Sequence, residues 1–127
     1  MKLVLDTFAL LKWLLEEKGY EEIETHFREN QVLMSSINFG EAFYMLLKKG
    51  FKKEAYTLWI NRGTLPIRFF EPTWKRIKEA ALIKASYPLS YADAFCVALA
   101  IEMEAPVLTG DPGFKKVKEI ELLWIEG

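Results

Sequence analysis

The chain has 127 residues, a length typical of one domain, and residues 1–127 are expected to form a single domain. Hydrophobic residues make up 51% and charged residues 28%, a balance that excludes an intrinsically disordered protein. The net charge of −1 excludes a generally basic surface for nucleic acid, and one cysteine excludes an internal disulfide or a multi-cysteine metal site.

The chain carries no recognisable membrane or export signal. The apolar segment at residues 3–5 is too short for a signal peptide, and no stretch approaches the length of a membrane span. We therefore expect a cytoplasmic protein with no membrane association.

Short apolar runs alternate with longer amphipathic or apolar segments along the chain. The runs predict strands at 2–5, 32–35, 65–70, 106–109 and 120–125. The longer segments predict helices at 7–15, 20–29, 38–49, 52–61, 73–86 and 90–103. This alternation indicates an α/β fold with a central parallel sheet of about five strands and helices on both faces.

The three aspartates and one glutamate lie in unusually apolar surroundings. Asp6 ends the first predicted strand and Asp111 follows the fourth, which is the edge where ligands bind in open α/β sheets. Asp93 and Glu41 lie near the starts of two apolar helices, where an ionised carboxylate is costly unless it is paired or bound to a cation. These four acids are the candidate functional residues.

Each acid also has an explanation in local structure alone. Acidic side chains are common in the first turn of a helix and in tight turns. The relevant patterns are Asp6 before a helix, the capping-box spacings Ser90-x-x-Asp93 and Asn38-x-x-Glu41, and the turn Asp111-Pro112-Gly113. The alternative is therefore a non-catalytic interaction module whose acids act as helix caps, although a capping carboxylate can also face a cation.

A set of four hard oxygen ligands without neighbouring histidine or cysteine favours Mg²⁺ or Mn²⁺ over zinc. The matching chemistry is hydrolysis of a phosphodiester by a metal-activated water. A bound cation would also allow an acidic cavity to attract a polyanion such as RNA.

Four sequence blocks together resemble one known family. They are LVLDT near the start, SSINFGEAFYML, LSYADAFCVALA, and VLTGDPGF near the end. Their order, spacing and predicted context are similar to those of PIN-domain ribonucleases, and most of all to the VapC toxins of VapBC toxin–antitoxin pairs. The resemblance covers nearly the whole chain.

The resemblance implies a PIN-like domain with sheet order 3-2-1-4-5 and one acidic pocket that holds Mg²⁺ or Mn²⁺. Asp6 and Asp93 match the metal ligands, while Glu41 and Asp111 match the acids that complete the catalytic site. Three hydroxyl side chains match supporting positions around these acids: Thr7, Ser90 and Thr109. Phe8 departs from the family pattern, because a small polar residue is more usual there.

The implied activity is metal-dependent cleavage of RNA by the toxin of a type II toxin–antitoxin pair. The implied partners are an RNA substrate, a cognate antitoxin and a second copy of the chain in a homodimer. The helices at 7–15 and 38–47 are apolar on several faces, which fits either a partner surface or a thick core. The side chains concerned are Trp13, Phe43, Tyr44 and Leu47.

Overall fold

The computed structural model describes residues 1–126. Its strands are β1 (Lys2–Leu5), β2 (Gln31–Ser35), β3 (Arg68–Phe70), β4 (Val107–Thr109) and β5 (Leu122–Trp124). Its helices are α1 (Thr7–Leu14), α2 (Tyr20–Glu29), α3 (Ser36–Lys48), α4 (Lys52–Ile60), α5 (Trp74–Ser86) and α6 (Tyr91–Met103). Two 3₁₀ helices cover Arg62–Thr64 and Pro112–Lys116.

The strands form one parallel sheet in the order β3-β2-β1-β4-β5. This confirms the predicted fold class and strand order. β1 lies in the centre, paired to β2 on one side and to β4 on the other. Because all strands are parallel, their carboxyl ends share one edge, and residues that follow β1 and β4 come together there.

Successive side chains of β1 point to opposite faces of the sheet, and each face has its own hydrophobic cluster. Leu3 and Leu5 pack in a cluster with side chains of α1, α3 and α4, whereas Val4 packs with side chains of α6. Seven consecutive residues of α6, from Ala94 to Ala100, are buried, which explains why its sequence is apolar nearly all round. The sheet is therefore covered on both faces, as the continuous apolar strands predict.

Several predicted boundaries differ from those of the structure. α3 begins at Ser36 rather than at Asn38, because the Ser35 hydroxyl caps it by accepting a hydrogen bond from the backbone N–H of Ile37. β3 covers only residues 68–70 of the predicted 65–70, and β5 only 122–124 of the predicted 120–125. Residues 65–67 before β3 are irregular instead, and Pro66 among them has no N–H for a strand ladder.

None of the described helices is long and apolar enough to cross a membrane.

Candidate active site

The four candidate acids line one cavity at the carboxyl edge of the sheet. Its volume is about 360 Å³, and its walls include Asp6, Glu41, Asp93 and Asp111 together with Thr7 and Ser90. Each acid comes from a different part of the chain: the end of β1, α3, α6 and the loop after β4. The tertiary structure therefore gathers residues that lie up to 105 positions apart in the sequence.

Asp6 is the most buried of these acids, with only 1% of its surface exposed. Its Oδ1 accepts a hydrogen bond of 2.7 Å from the backbone N–H of Ala9, which caps α1 as the local explanation predicts. Its Oδ2 accepts a short hydrogen bond from the Thr109 hydroxyl. Burial and, to a smaller extent, the nearby charges of Asp93 and Asp111 raise the pKa of Asp6 to about 7 in spite of these two hydrogen bonds.

Thr109 connects the acids that follow β1 and β4. Its hydroxyl donates to Asp6 and accepts a 2.9 Å hydrogen bond from the backbone N–H of Asp111. Asp111 in turn caps the following 3₁₀ helix, because its Oδ1 accepts a 2.8 Å hydrogen bond from the backbone N–H of Gly113. Thr109 is completely buried, so this arrangement is protected from water.

Asp93 lies in the first turn of α6, where Ser90 is the N-cap. The Ser90 hydroxyl accepts a 3.1 Å hydrogen bond from the backbone N–H of Asp93. The reciprocal bond of a capping box, from the Ser90 backbone to the Asp93 carboxylate, is not among the hydrogen bonds of residues 1–126. The pKa of Asp93 is raised to about 6, first by burial and then by the charges of Glu41 and Asp111.

Glu41 does not occupy the capping position that its sequence suggests. Because α3 begins at Ser36, Glu41 lies in the second turn and Asn38 is inside the helix. The capping-box interpretation of Asn38-x-x-Glu41 is therefore wrong. Glu41 lines the acid cavity without a role at the end of its helix, so the local explanation does not account for it.

Asn38 is a structural link that the sequence analysis missed. Its side-chain amide donates to the backbone carbonyl of Ala92 at 2.9 Å and to the Thr7 hydroxyl at 3.3 Å. The Thr7 hydroxyl donates to the backbone carbonyl of Asn38 at 3.1 Å. These bonds join α1, α3 and α6, the helices associated with Asp6, Glu41 and Asp93. The available signal was an asparagine among apolar residues, but helix capping gave it a simpler explanation; the structure shows that it is fully buried.

The donor atoms around the cavity are carboxylate and hydroxyl oxygens, which are of the kind that bind hard divalent cations. Within residues 1–126, no three His, Cys, Asp or Glu side chains lie close enough together to enclose a metal ion. The acids surround the cavity rather than converge on one point, and Mg²⁺ retains several waters in protein sites. The raised pKa values of Asp6 and Asp93 indicate partly buried negative charge that a cation would stabilise. Oxygen donors of this type suit Mg²⁺ or Mn²⁺.

We expect the metal-free protein to become less stable as the pH rises from about 4 to about 7. In the folded state the pKa of Asp6 is about 7 and that of Asp93 about 6, compared with an ordinary value of 3.8. The folded protein thus binds protons that the unfolded chain has already released. This stabilisation is complete below the ordinary pKa and is lost as the pH rises through the folded-state values.

Thermal unfolding in the presence of a chelator, measured across this pH range, checks the expected loss of stability. Asp6→Asn is expected to remove most of the dependence, because the amide does not titrate. A melting temperature that rises with pH in the wild-type protein would contradict the prediction.

Comparison with known proteins identifies the family of the chain. The family model described as the PIN domain matches residues 3–120. No curated protein sequence matched the chain significantly.

Several solved structures are similar to this one over nearly their whole length. VapBC2 from Rickettsia felis, solved bound to a DNA fragment from its promoter, has a TM-score of 0.77 at 16% identity and covers 99% of this chain and 100% of its own. A toxin–antitoxin complex from Klebsiella pneumoniae has a TM-score of 0.75 at 16% identity, covering 98% and 99%.

A third similar structure is VapC20 from Mycobacterium tuberculosis, described as a toxin that cleaves the sarcin–ricin loop. It has a TM-score of 0.73 at 15% identity and covers 94% of this chain and 98% of its own. At these low sequence identities, the TM-scores of the three structures show a shared fold and nothing more. Because the family model matches almost the entire sequence, the chain belongs to the PIN domain family.

Proposed function

We propose that this protein is a divalent-metal-dependent endoribonuclease that acts as the toxin of a type II toxin–antitoxin pair. The observation that carries the proposal is the single cavity lined by Asp6, Glu41, Asp93 and Asp111. Membership of the PIN domain family and the likeness to VapBC structures support the same assignment. Residues 1–127 act as one domain in this proposal.

In the proposed mechanism, Asp6 and Asp93 would hold Mg²⁺ or Mn²⁺, and Glu41 and Asp111 would complete the site, in part by orienting water. The cation would lower the pKa of the attacking water and offset the charge of the phosphate. Thr109 keeps Asp6 in position through the hydroxyl bond, and Asn38 and Thr7 hold the helices that carry the acids. Ser90 caps α6 and so fixes the backbone of Asp93.

The proposed partners are an RNA substrate, a cognate antitoxin and a second copy of the chain, in the cytoplasm. Two structures similar to this one are toxin–antitoxin assemblies. The apolar faces predicted from the sequence are partly covered within the chain, because Phe43 packs on Tyr56 and Trp59, and Trp13 packs on Phe27. Tyr44 and Leu47 remain exposed, at 55% and 37%, and are available to a protein partner.

The alternative is a non-catalytic PIN-like interaction module in which the acids serve as caps. The capping bonds of Asp6 and Asp111 favour it, since both carboxylates satisfy backbone N–H groups. It leaves Glu41 in the second turn of α3 without a function. The two candidates differ in metal binding and RNA cleavage, which a single set of reactions measures.

The test is cleavage of a mixed pool of structured and single-stranded RNA by purified protein free of antitoxin. Reactions contain Mg²⁺, Mn²⁺ or a chelator, and a Glu41→Gln variant purified in parallel controls for contaminating nuclease. Cleavage with either metal, lost in chelator and strongly reduced in the variant, is the expected result. A folded protein that neither cleaves the pool nor binds Mn²⁺ would overturn the proposal and favour the interaction module.

A further inference from the structure

One exposed aromatic side chain lies in the wall of the acid cavity. Phe8 is the second residue of α1, and 42% of its surface is exposed although Thr7 and Ala9 on either side are buried. An aromatic ring contributes nothing to holding a cation between carboxylates through oxygen ligands. Its place beside Asp6 and Asp111 leaves it free to contact a part of a bound molecule other than the group held by the acids.

The ring of Phe8 rests on the loop that leads to Asp111. A Cβ atom added to Gly110 would lie 2.6 Å from Cε1 of Phe8 and 3.0 Å from the backbone carbonyl oxygen of Ile125, so a larger residue at position 110 would require the ring to shift. The ring is thus packed directly against backbone next to the acid. Any ligand group that contacts this ring therefore lies close to the cavity lined by the acids.

The Phe8 ring is also held in place by a side chain of its own helix. The ammonium of Lys12, one turn further along α1, lies 5.7 Å from the ring centroid, while only 3% of the Lys12 surface is exposed. The start of α1 is held by the Asp6 cap and by the bond between Thr7 and Asn38. A ring held in this way loses little conformational freedom when a ligand covers it, which favours binding.

Nucleobases are the ligand groups that match such a ring near a phosphodiester site. A base stacks on an aromatic side chain through its π face, whatever its sequence, but only if it is not already stacked and paired within a duplex. A base beside the phosphate in the acid cavity would lie within reach of Phe8. The cavity walls also include Lys49, an exposed cation suited to a neighbouring phosphate.

We propose that Phe8 stacks on an unpaired nucleobase next to the phosphodiester held at the acid cavity, and thereby makes RNA affinity depend on that base. This inference rests on the proposed ribonuclease function and names the substrate feature that its site selects. The substrate feature is a base whose face is free to stack, and Phe8 is the residue that contacts it.

The test measures binding rather than cleavage. Two labelled RNA decamers of equal length and charge, one of adenosine and one with every base removed, are titrated with protein in Ca²⁺, and fluorescence anisotropy reports the Kd. Wild-type protein is expected to bind the adenosine decamer about 5- to 150-fold more tightly, the range contributed by one base–aromatic stack. Phe8→Leu is expected to lose this preference, because leucine fills the space without a π face.

Two further variants separate stacking from packing. Phe8→Trp retains a ring and is expected to keep the preference for the adenosine decamer. Phe51→Leu is the matched control, since Phe51 is 37% exposed and lies outside the acid cavity, and it is expected to behave as wild type.

The stacking inference and the proposed function can fail separately. A Phe8→Leu protein that keeps the preference, or one that weakens binding of both decamers equally, would overturn the stacking role while RNA cleavage stands. Failure of the wild-type protein to prefer the adenosine decamer would overturn it as well. Absence of metal-dependent cleavage of the RNA pool would instead remove the proposed function, whatever the decamers show.

Discussion

The Asp93→Asn variant is expected to cleave RNA at least about 100-fold more slowly than the wild-type protein. Removing a residue that only supports a metal ligand typically lowers metal affinity or activity by about 10- to 100-fold, and the loss of a direct ligand should be larger. The substitution preserves the size of the side chain and the hydrogen bond from the Asp93 backbone N–H to Ser90. It removes a negative charge from a cavity in which burial and then the charges of the neighbouring acids raise the pKa of Asp93 to about 6. The metal-free variant should therefore be no less stable than the wild type, whereas its affinity for Mn²⁺ should fall.

Initial cleavage rates at several Mn²⁺ concentrations, together with a titration of Mn²⁺ binding, measure the effect. Glu54→Gln is the matched control, because Glu54 is an exposed acid in the first turn of α4 and lies outside the cavity. It should leave both cleavage and Mn²⁺ binding unchanged. If Asp93→Asn cleaved RNA at the rate of this control, Asp93 would be a helix-cap residue only.

Thr109→Val is expected to lower metal affinity or activity by about 10- to 100-fold although Thr109 touches neither metal nor RNA in the proposed mechanism. Valine has nearly the shape of threonine but cannot donate to Oδ2 of Asp6 or accept from the backbone N–H of Asp111. In the wild-type protein the hydrogen bond from the Thr109 hydroxyl lowers the pKa of Asp6. Its loss should therefore raise the pKa of Asp6 in the variant. Metal binding should consequently require a higher pH than in the wild type.

The pH dependence of Mn²⁺ binding distinguishes this positioning role from a general loss of structure. Leaving a buried oxygen of Asp6 without a partner also costs about 1–3 kcal/mol of folding free energy, so thermal unfolding is measured in parallel. Thr109→Ser keeps the hydroxyl and should restore the wild-type pH profile. If Thr109→Val bound Mn²⁺ more weakly but with the same pH dependence as the wild type, the hydroxyl would not control the ionisation of Asp6.

The alternation of apolar and amphipathic segments was enough to predict the fold class and the type of every major element. Local signals were less successful where two of them competed. Both Ser35 and Asn38 are good N-cap residues, and the sequence analysis placed the start of the helix at Asn38. The structure shows Ser35 as the cap, because Asn38 is engaged by Thr7 and by the backbone of Ala92. Those partners lie 31 and 54 residues away, beyond the reach of any local pattern.

The sequence by itself determined which residues are candidates, since few carboxylates lie at strand ends or in apolar helices. It did not determine that they share a cavity, because that depends on which strands are neighbours. Pairing of β1 with β4 brings Thr109 to Asp6 across 103 residues, and the packing of α3 and α6 on this edge adds Glu41 and Asp93. Hydrophobic periodicity acts over a few residues, whereas strand order and buried hydrogen bonds arise only when distant segments pack together, so only the tertiary structure decided the geometry of the site.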